Sequence, residues 1–187
     1  MSKIFFQQMN LPKPKYNLSI NKMENGLMVK EMIKKIVPIL KSEDPDGILV
    51  YGDTNSTLAG SLAAVKSNLS IFHIEAGLRS YNKCMQEELN RIVTDYLSTL
   101  LFCPTENAVK TLKNEGVTNG VIFSGDVMYD SYLKFSVKAK DIKPHSAENK
   151  SNYILATIHR RENTDFQHRL TSIFESLNKL NNKLRII

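Results

Sequence analysis

Short apolar runs alternate with amphipathic stretches along most of the chain. Four mostly apolar runs have the length and composition of buried strands, at residues 48–51, 70–74, 100–103 and 121–123. Helical spacing of apolar residues predicts helices at 30–41, 58–67, 87–100 and 107–115. This alternation of strand and helix predicts an α/β protein with a doubly wound parallel sheet.

The helix predicted at 87–100 has the clearest amphipathic pattern. Its apolar residues fall on one side, and we expect that side to face the core. The predicted core-facing residues are Leu89, Ile92, Val93, Tyr96 and Leu97.

The composition changes in the last third of the chain. Residues 138–152 are rich in lysine, proline, serine and asparagine, which predicts a linker between domain 1–137 and domain 153–187. After it we expect a strand at 153–157, a helix at 166–181 and a further strand beginning at 184. A βαβ unit that stops there leaves a sheet edge and a helix face uncovered, so we expect an incomplete second domain.

Composition and charge exclude several classes of protein. Apolar residues make up 42% and charged residues 24% of the chain, which are globular values. No apolar run approaches the roughly 20 residues that span a bilayer. The apolar stretch at the N-terminus is too short for a signal peptide. We therefore predict a cytoplasmic protein without membrane contact. The net charge of +6 comes from scattered lysines, which predicts solvated helix faces and no nucleic-acid partner. No CxxC pair or other zinc-binding spacing is present, so no metal site is predicted.

Polar residues follow the predicted strands directly. Ligands of open α/β sheets bind beyond the carboxyl ends of the strands, so these residues are the candidates for chemistry. They occur at 52–54, 73–79, 125–126 and 159–163, and a fifth group at 87–91 begins a predicted helix.

The carboxylates in these groups each have a structural alternative. Asp53 stands where a residue often caps the next helix. Glu75 follows an apolar strand and would be partly desolvated unless it is paired, and Arg79 is a candidate partner. Glu87 is spaced four residues from Arg91, so the two could pair on a helix surface.

The group at 159–163 combines a histidine with arginines. His159 could hold or transfer protons, while Arg160 and Arg161 suit phosphate oxygens. A simple polar cluster at the start of a helix is the alternative. No GxSxG elbow, P-loop or HExxH motif is present, so the residues alone indicate a two-domain α/β protein with a carboxylate-lined crevice suited to proton transfer.

Taken together, six strings in this order resemble the non-hydrolysing UDP-N-acetylglucosamine 2-epimerases. The resemblance covers nearly the whole chain. The strings are VYGDTNSTLA (50–59), HIEAGLRS (73–80), EELNR (87–91, with TD at 94–95), FCPTE (102–106), GDVMYD (125–130) and HRRENT (159–164).

The resemblance implies two Rossmann-like parallel sheets of the glycosyltransferase-B type, with a UDP-N-acetylhexosamine bound between them. It implies interconversion of UDP-N-acetylglucosamine and UDP-N-acetylmannosamine with no metal and no cofactor, through loss of the C2 proton together with UDP, followed by re-addition. A homodimer is expected on the same ground.

The resemblance also assigns roles to residues. It implies that Asp53, Glu75 and Glu87 are the acid/base carboxylates and that His159 lies near the pyrophosphate. It places Arg79 and Arg91 beside the carboxylates at the substrate. Further substrate contacts are expected from Arg160, Arg161, Glu162 and Asn163.

This sequence departs from the family pattern in several places. It begins after the family's first strand and phosphate-contacting loop, and it stops early in the second domain. Gln86 stands where the family usually has proline, and Val29 where it usually has threonine. We therefore expect a truncated epimerase with lost or impaired activity. The alternatives are an active enzyme completed by a partner chain, an inactive homologue, a hydrolysing epimerase and a UDP-sugar-dependent glycosyltransferase.

Overall fold

The computed structural model describes residues 6–21, 24–139, 153–181 and 184–187. The chain divides into two compact units, Met1–Phe135 and Ser136–Ile187. Most of the predicted linker lies outside the described residues, so the predicted domain limits stay predictions.

The first unit is an α/β layer built on a parallel sheet. Its four strands pair in chain order, β1-β2-β3-β4, and every pairing is parallel. This confirms the α/β class and the alternation of strands and helices. The elements are α1 (Asn25–Glu43), β1 (Gly47–Tyr51), α2 (Asn55–Lys66), β2 (Ser70–Ile74), α3 (Gln86–Leu97), β3 (Leu100–Cys103), α4 (Glu106–Asn114) and β4 (Val121–Phe123). They are followed by α5 (Val127–Ala139), which begins in the first unit and ends in the second.

Two helices differ from the sequence prediction. Helix α1 is longer than the predicted 30–41, and it contains Pro38. Helix α5 is absent from the prediction. Its start is fixed by Asp126, whose side chain accepts a hydrogen bond from the Met128 amide at 2.8 Å and whose carbonyl accepts one from the Asp130 amide at 3.1 Å.

The core lies between one face of the sheet and the helices. One cluster joins Val50, Ala64 and Ile71, and a second joins β3 to α4 through Leu101 and Leu112. The loop after β2 approaches α4 closely. A Cβ atom at Gly77, where φ is +78°, would lie 2.5 Å from the carbonyl oxygen of Ala108, so only glycine fits there.

The prediction for the core-facing side of α3 is wrong for three of its five residues, whereas Ile92 and Leu97 are half-buried and Leu97 packs against the cluster of Val50, Ala64 and Ile71. Leu89, Val93 and Tyr96 are 43%, 40% and 58% exposed. The helix instead buries polar residues, namely Glu88, Asn90, Arg91, Thr94 and Asp95. All but Thr94 have side-chain hydrogen bonds to the loops at the strand ends or to neighbouring polar groups, and these bonds offset the cost of desolvation.

After α5, the described residues of the second unit include a two-stranded parallel sheet and two short-to-medium helices. They are β5 (Tyr153–Ile154), α6 (Arg161–Thr164), α7 (Gln167–Asn181) and β6 (Arg185–Ile186). Strand β5 is shorter than the predicted 153–157, although the Ala156 amide still donates to the Ile187 carbonyl at 2.8 Å. Among the described residues of the chain, no helix combines the length and apolarity needed to cross a membrane.

Candidate functional site

Asp53 and Glu75 follow neighbouring strands, and Arg91 of α3 lies between them. Arg91 Nη2 is 2.6 Å from Asp53 Oδ2 and 3.7 Å from Glu75 Oε1. Its Nη1 donates to the backbone carbonyl of Glu75. The two carboxylate side chains remain 31% and 32% exposed. The structure thus brings three of the predicted site residues into one group that solvent reaches.

Glu75 has a backbone conformation that is uncommon for a residue with a side chain. Its φ is +73°, in the left-handed region. The conformation is held because the Glu75 and Ala76 amides both donate to the Phe102 carbonyl at 3.1 Å, while Arg91 binds the Glu75 carbonyl. Strained positions of this kind persist where surrounding bonds over-determine them, and they are concentrated at functional sites.

Asp53 is fixed by bonds on both sides of its backbone. The Gly52 amide donates to the Ile74 carbonyl at 3.0 Å, and Asn90 Nδ2 donates to the Asp53 carbonyl at 2.9 Å. Capping of α2 is not its role, since Thr54 occupies the cap position and the Asp53 carboxylate pairs with Arg91.

Arg79 does not pair with Glu75, so that structural alternative is wrong. After Gly77 the chain turns towards α4, which directs the Arg79 side chain to Glu115 at 2.9 and 2.7 Å and to Asp95 at 2.7 Å. Burial lowers the pKa of Arg79, but Glu115 and Asp95 together raise it above its ordinary value. With a side chain only 1% exposed, Arg79 is placed to position other groups rather than to contact a substrate.

The two glutamates that begin α3 have different environments. Glu88 is buried and accepts hydrogen bonds from the Ser80 amide (2.7 Å), the Ser80 hydroxyl (2.9 Å) and the Tyr81 amide (2.9 Å). Burial alone would raise the pKa of Glu88, but these bonds lower it below its ordinary value. Glu88 therefore fixes the loop.

Glu87 is exposed. It does not pair with Arg91, which is turned inward, so the surface-pair alternative is wrong. Among the described residues no hydrogen bond joins Glu87 to Asp53 or Glu75.

His73 and Asp95 form a buried pair that the sequence analysis missed. His73 lies in β2 and Asp95 in α3, both side chains are fully buried, and Nδ1 of His73 is 2.7 Å from Oδ1 of Asp95. A histidine within an apolar strand and an aspartate in the middle of a helix were the available signals. Both residues were noted only as parts of the motifs at 73–80 and 94–95, and neither was considered as a partner of the other.

The predicted residues of the second unit lie at the start of a short helix. His159 and Arg160 are exposed, and Arg161 is the first residue of α6. The Arg160 carbonyl accepts from the amides of Asn163 (2.9 Å) and Thr164 (3.1 Å). The Glu162 carbonyl accepts from Arg169 at 3.2 Å.

The start of α6 at Arg161 agrees with a polar cluster at a helix start. Phosphate binding by this cluster, and the gathering of His159 with Asp53 and Glu75, stay predictions. Within the described parts of both units, no three His, Cys, Asp or Glu side chains are arranged to hold a metal ion.

Comparisons with known proteins give a consistent result over the whole chain. The family model for UDP-N-acetylglucosamine 2-epimerase matches residues 1–187. A UDP-N-acetylglucosamine 2-epimerase homolog of Methanococcus maripaludis is 49% identical over 98% of this chain and 53% of its own length. A UDP-2,3-diacetamido-2,3-dideoxy-D-glucuronate 2-epimerase of Pseudomonas aeruginosa is 50% identical over 96% of this chain and 51% of its own length.

A solved structure agrees with the sequence matches. The chain superimposes with a TM-score of 0.88 on Methanocaldococcus jannaschii UDP-GlcNAc 2-epimerase in complex with UDP-GlcNAc and UDP, at 38% identity, over 97% of this chain and 51% of that one. The chain thus spans about half the length of the relatives it matches. The resemblance in the motifs is confirmed: this chain belongs to the UDP-N-acetylglucosamine 2-epimerase family.

Proposed function

We propose that this chain contributes the acid/base site of an enzyme that epimerises C2 of UDP-N-acetylglucosamine. The observation that carries the proposal is the pair of partly exposed carboxylates, Asp53 and Glu75, held at adjacent strand ends by Arg91. The solved Methanocaldococcus jannaschii relative, which is described with UDP-GlcNAc and UDP, supports the same substrate class.

The chemistry explains why carboxylates are needed. The C2 proton has no adjacent carbonyl and is not acidic by itself, so its removal is coupled to departure of UDP across the C1–O bond. The products are 2-acetamidoglucal and UDP. A proton then returns to the opposite face of C2 as UDP adds back. Because the proton leaves one face of C2 and returns to the other, proton-transfer groups are needed on both sides of the sugar ring. The candidates are Asp53, Glu75 and the exposed Glu87.

Arg91 contributes charge and geometry to this site. Its guanidinium lies 2.6 Å from Asp53 Oδ2 and fixes the direction of that carboxylate. We assign the leaving pyrophosphate to His159 with Arg160 and Arg161, because cationic side chains stabilise developing phosphate charge. Glu162 and Asn163 are assigned to other contacts with the substrate. Arg79 acts at a distance, through Asp95.

We propose that turnover by the 187-residue chain is lost or impaired. The chain spans about half the length of its relatives, and the family fold implies that much of the uridine and diphosphate contact lies in the second domain. An active enzyme completed by a partner chain is the alternative.

Exchange of the C2 proton tests the proposal directly. UDP-N-acetylglucosamine is incubated with the protein at high concentration in D₂O, and deuterium at C2 is measured by NMR. We expect slow incorporation, and its loss in Asp53→Asn and Glu75→Gln. Glu106→Gln removes an exposed carboxylate of α4 and serves as the control.

Incorporation at an unchanged rate in the two site variants would overturn the assignment. Complete absence of incorporation by the unsubstituted chain would favour an inactive homologue. Release of free N-acetylmannosamine, or transfer to an added acceptor, would identify a hydrolysing epimerase or a glycosyltransferase instead.

The sugar is a second question for the same assay. The relative from Pseudomonas aeruginosa is named for UDP-2,3-diacetamido-2,3-dideoxy-D-glucuronate and is as similar to this chain as the UDP-N-acetylglucosamine relative. The two nucleotide sugars are therefore compared side by side, and the faster C2 exchange identifies the better substrate.

We also propose a homodimer. The outward side of α3 exposes Leu89, Val93 and Tyr96 at helical spacing, and an apolar stripe of this kind is typical of a protein contact. The cytoplasmic location stays a prediction.

A further inference from the structure

His73 is enclosed and hydrogen-bonded through both ring nitrogens. Nδ1 lies 2.7 Å from Asp95 Oδ1, and Nε2 lies 2.8 Å from the carbonyl oxygen of Gly52. The side chain has no exposed surface, so it cannot reach a substrate. Its effect on the site must pass through one of these two partners.

The chemistry of the partners fixes where the protons lie. A backbone carbonyl only accepts hydrogen bonds, so Nε2 of His73 must carry a proton and donate it to Gly52. Asp95 Oδ2 accepts from the Gly77 amide at 3.2 Å and from Arg79 Nη1 at 2.7 Å. The other oxygen of Asp95, Oδ1, is 2.7 Å from Nδ1, so one proton lies between these two atoms and their bond sets the orientation of the ring.

Gly52 is the residue directly before Asp53, and it is held at both ends. Its amide donates to the Ile74 carbonyl at 3.0 Å while its carbonyl accepts from His73. Its φ is +65°, so the chain turns here at the end of β1. The turn sets the direction of the next residue, Asp53. A Cβ built on Gly52 would lie 3.1 Å from Glu75 Oε2, which shows how closely the Glu75 carboxylate covers this turn.

We infer that His73 is a positioning residue: its Nε2–H holds the Gly52 carbonyl and thereby fixes Asp53 beside Arg91 and Glu75. The inference deepens the proposed function and rests on it for its kinetic consequence. Its structural part, the His73–Gly52 bond and what depends on that bond, stands on the geometry alone.

Two substitutions separate the two sides of the ring. The side-chain amide nitrogen of glutamine reaches about as far as Nε2, and that of asparagine about as far as Nδ1. His73→Gln therefore keeps a donor for Gly52 and loses the contact with Asp95. His73→Asn keeps a donor for Asp95 and loses the bond to Gly52. Both remove the ring, so each is the control for the other.

The kinetic readout is C2 proton exchange. We expect His73→Asn to lower kcat by about tenfold to a hundredfold with little change in KM, because a misplaced acid/base group mainly slows the chemical step. His73→Gln should retain most of the kcat. Equal rates in the two variants, whether both are normal or both are reduced, would overturn the inference.

The structural readout does not need turnover. Hydrogen exchange of the Gly52 amide should be faster in His73→Asn than in His73→Gln, and equal protection would contradict the inference. If the unsubstituted chain shows no C2 exchange, the chain is an inactive homologue, and this comparison still decides the role of His73.

A measurement on the unsubstituted protein covers the case in which a variant does not fold. The NMR spectrum of the imidazole should show a proton on Nε2 of His73, with a coupling through the hydrogen bond to the carbonyl carbon of Gly52. An Nε2 without a proton would overturn the inference.

Discussion

Helices α3 and α4 pack beside the same parallel sheet and bury opposite kinds of side chain. Helix α4 buries Ala108 and Leu112 against β3, as its amphipathic pattern predicts. Helix α3 buries Glu88, Arg91 and Asp95. Its apolar residues Leu89, Val93 and Tyr96 are exposed. An amphipathic pattern therefore identifies a helix without deciding which side faces inward, because hydrogen-bonding partners at the strand ends can reverse the usual orientation.

The largest effect is expected from Asp95 in α3. Asp95→Ala leaves the buried Arg79 and His73 without their shared carboxylate, so we expect the free energy of unfolding to fall by about 4 kcal/mol. Denaturant unfolding measures the change, with exposed Asp46→Ala as the control. A loss below about 1 kcal/mol would mean that the inward polar side of α3 is not a stabilising network.

Leu112 provides the corresponding test in α4. Leu112→Ala removes a fully buried side chain from the cluster that joins α4 to β3, and we expect a loss of about 3 kcal/mol. The same unfolding experiment applies. If Leu112→Ala lowers the free energy of unfolding much less than Asp95→Ala does, the polar network stabilises this unit more than its apolar cluster. If Leu112→Ala lowers it more, the apolar cluster is the stronger contribution.

The strands and most helices of the first unit could be predicted because their signals are local. Four apolar runs bounded by polar or turn residues gave β1 to β4 within one or two residues. Helix α5 was missed because its aromatic residues and two valines weaken the helical signal. Local signals were present in Asp126 at its start and in the four-residue spacing of Asp130, Lys134 and Lys138.

The partners within the site could not be predicted from spacing. Arg79 is close to Glu75 in sequence and Arg91 is close to Glu87, yet Arg79 pairs with Glu115 and Asp95, and Arg91 pairs with Asp53 and Glu75. These contacts depend on how the loop after β2 turns at Gly77 and on which side of α3 faces inward. Both are decided by packing between elements far apart in the chain.

Glu88 is expected to give a smaller, pH-dependent effect. Its pKa is lowered in the folded protein, so its contribution to stability is present above the ordinary glutamate pKa of about 4.3 and is lost as the pH falls through the folded value. Glu88→Gln should reduce the free energy of unfolding by about 1.5 kcal/mol at pH 7, and this reduction should become progressively smaller as the pH falls below about 4.3.

The neighbouring Glu87→Gln is the control for this experiment, since that side chain is exposed. Urea unfolding across the pH range measures both variants. A constant difference between Glu88→Gln and the unsubstituted protein at every pH would contradict the proposed role of the ionised carboxylate.

The smallest effect on folding is expected on the outward side of α3. Val93 is 40% exposed, so Val93→Ser should change the free energy of unfolding of the monomer by no more than about 0.5 kcal/mol. The proposed homodimer predicts a separate result, because the same substitution removes apolar surface from the contact. Sedimentation equilibrium should then show weaker self-association for Val93→Ser than for Val65→Ser, which alters an exposed valine of α2. If self-association is unchanged in Val93→Ser, the outward side of α3 is not the dimer contact. If this substitution unfolds the monomer, that side of α3 is buried within the monomer.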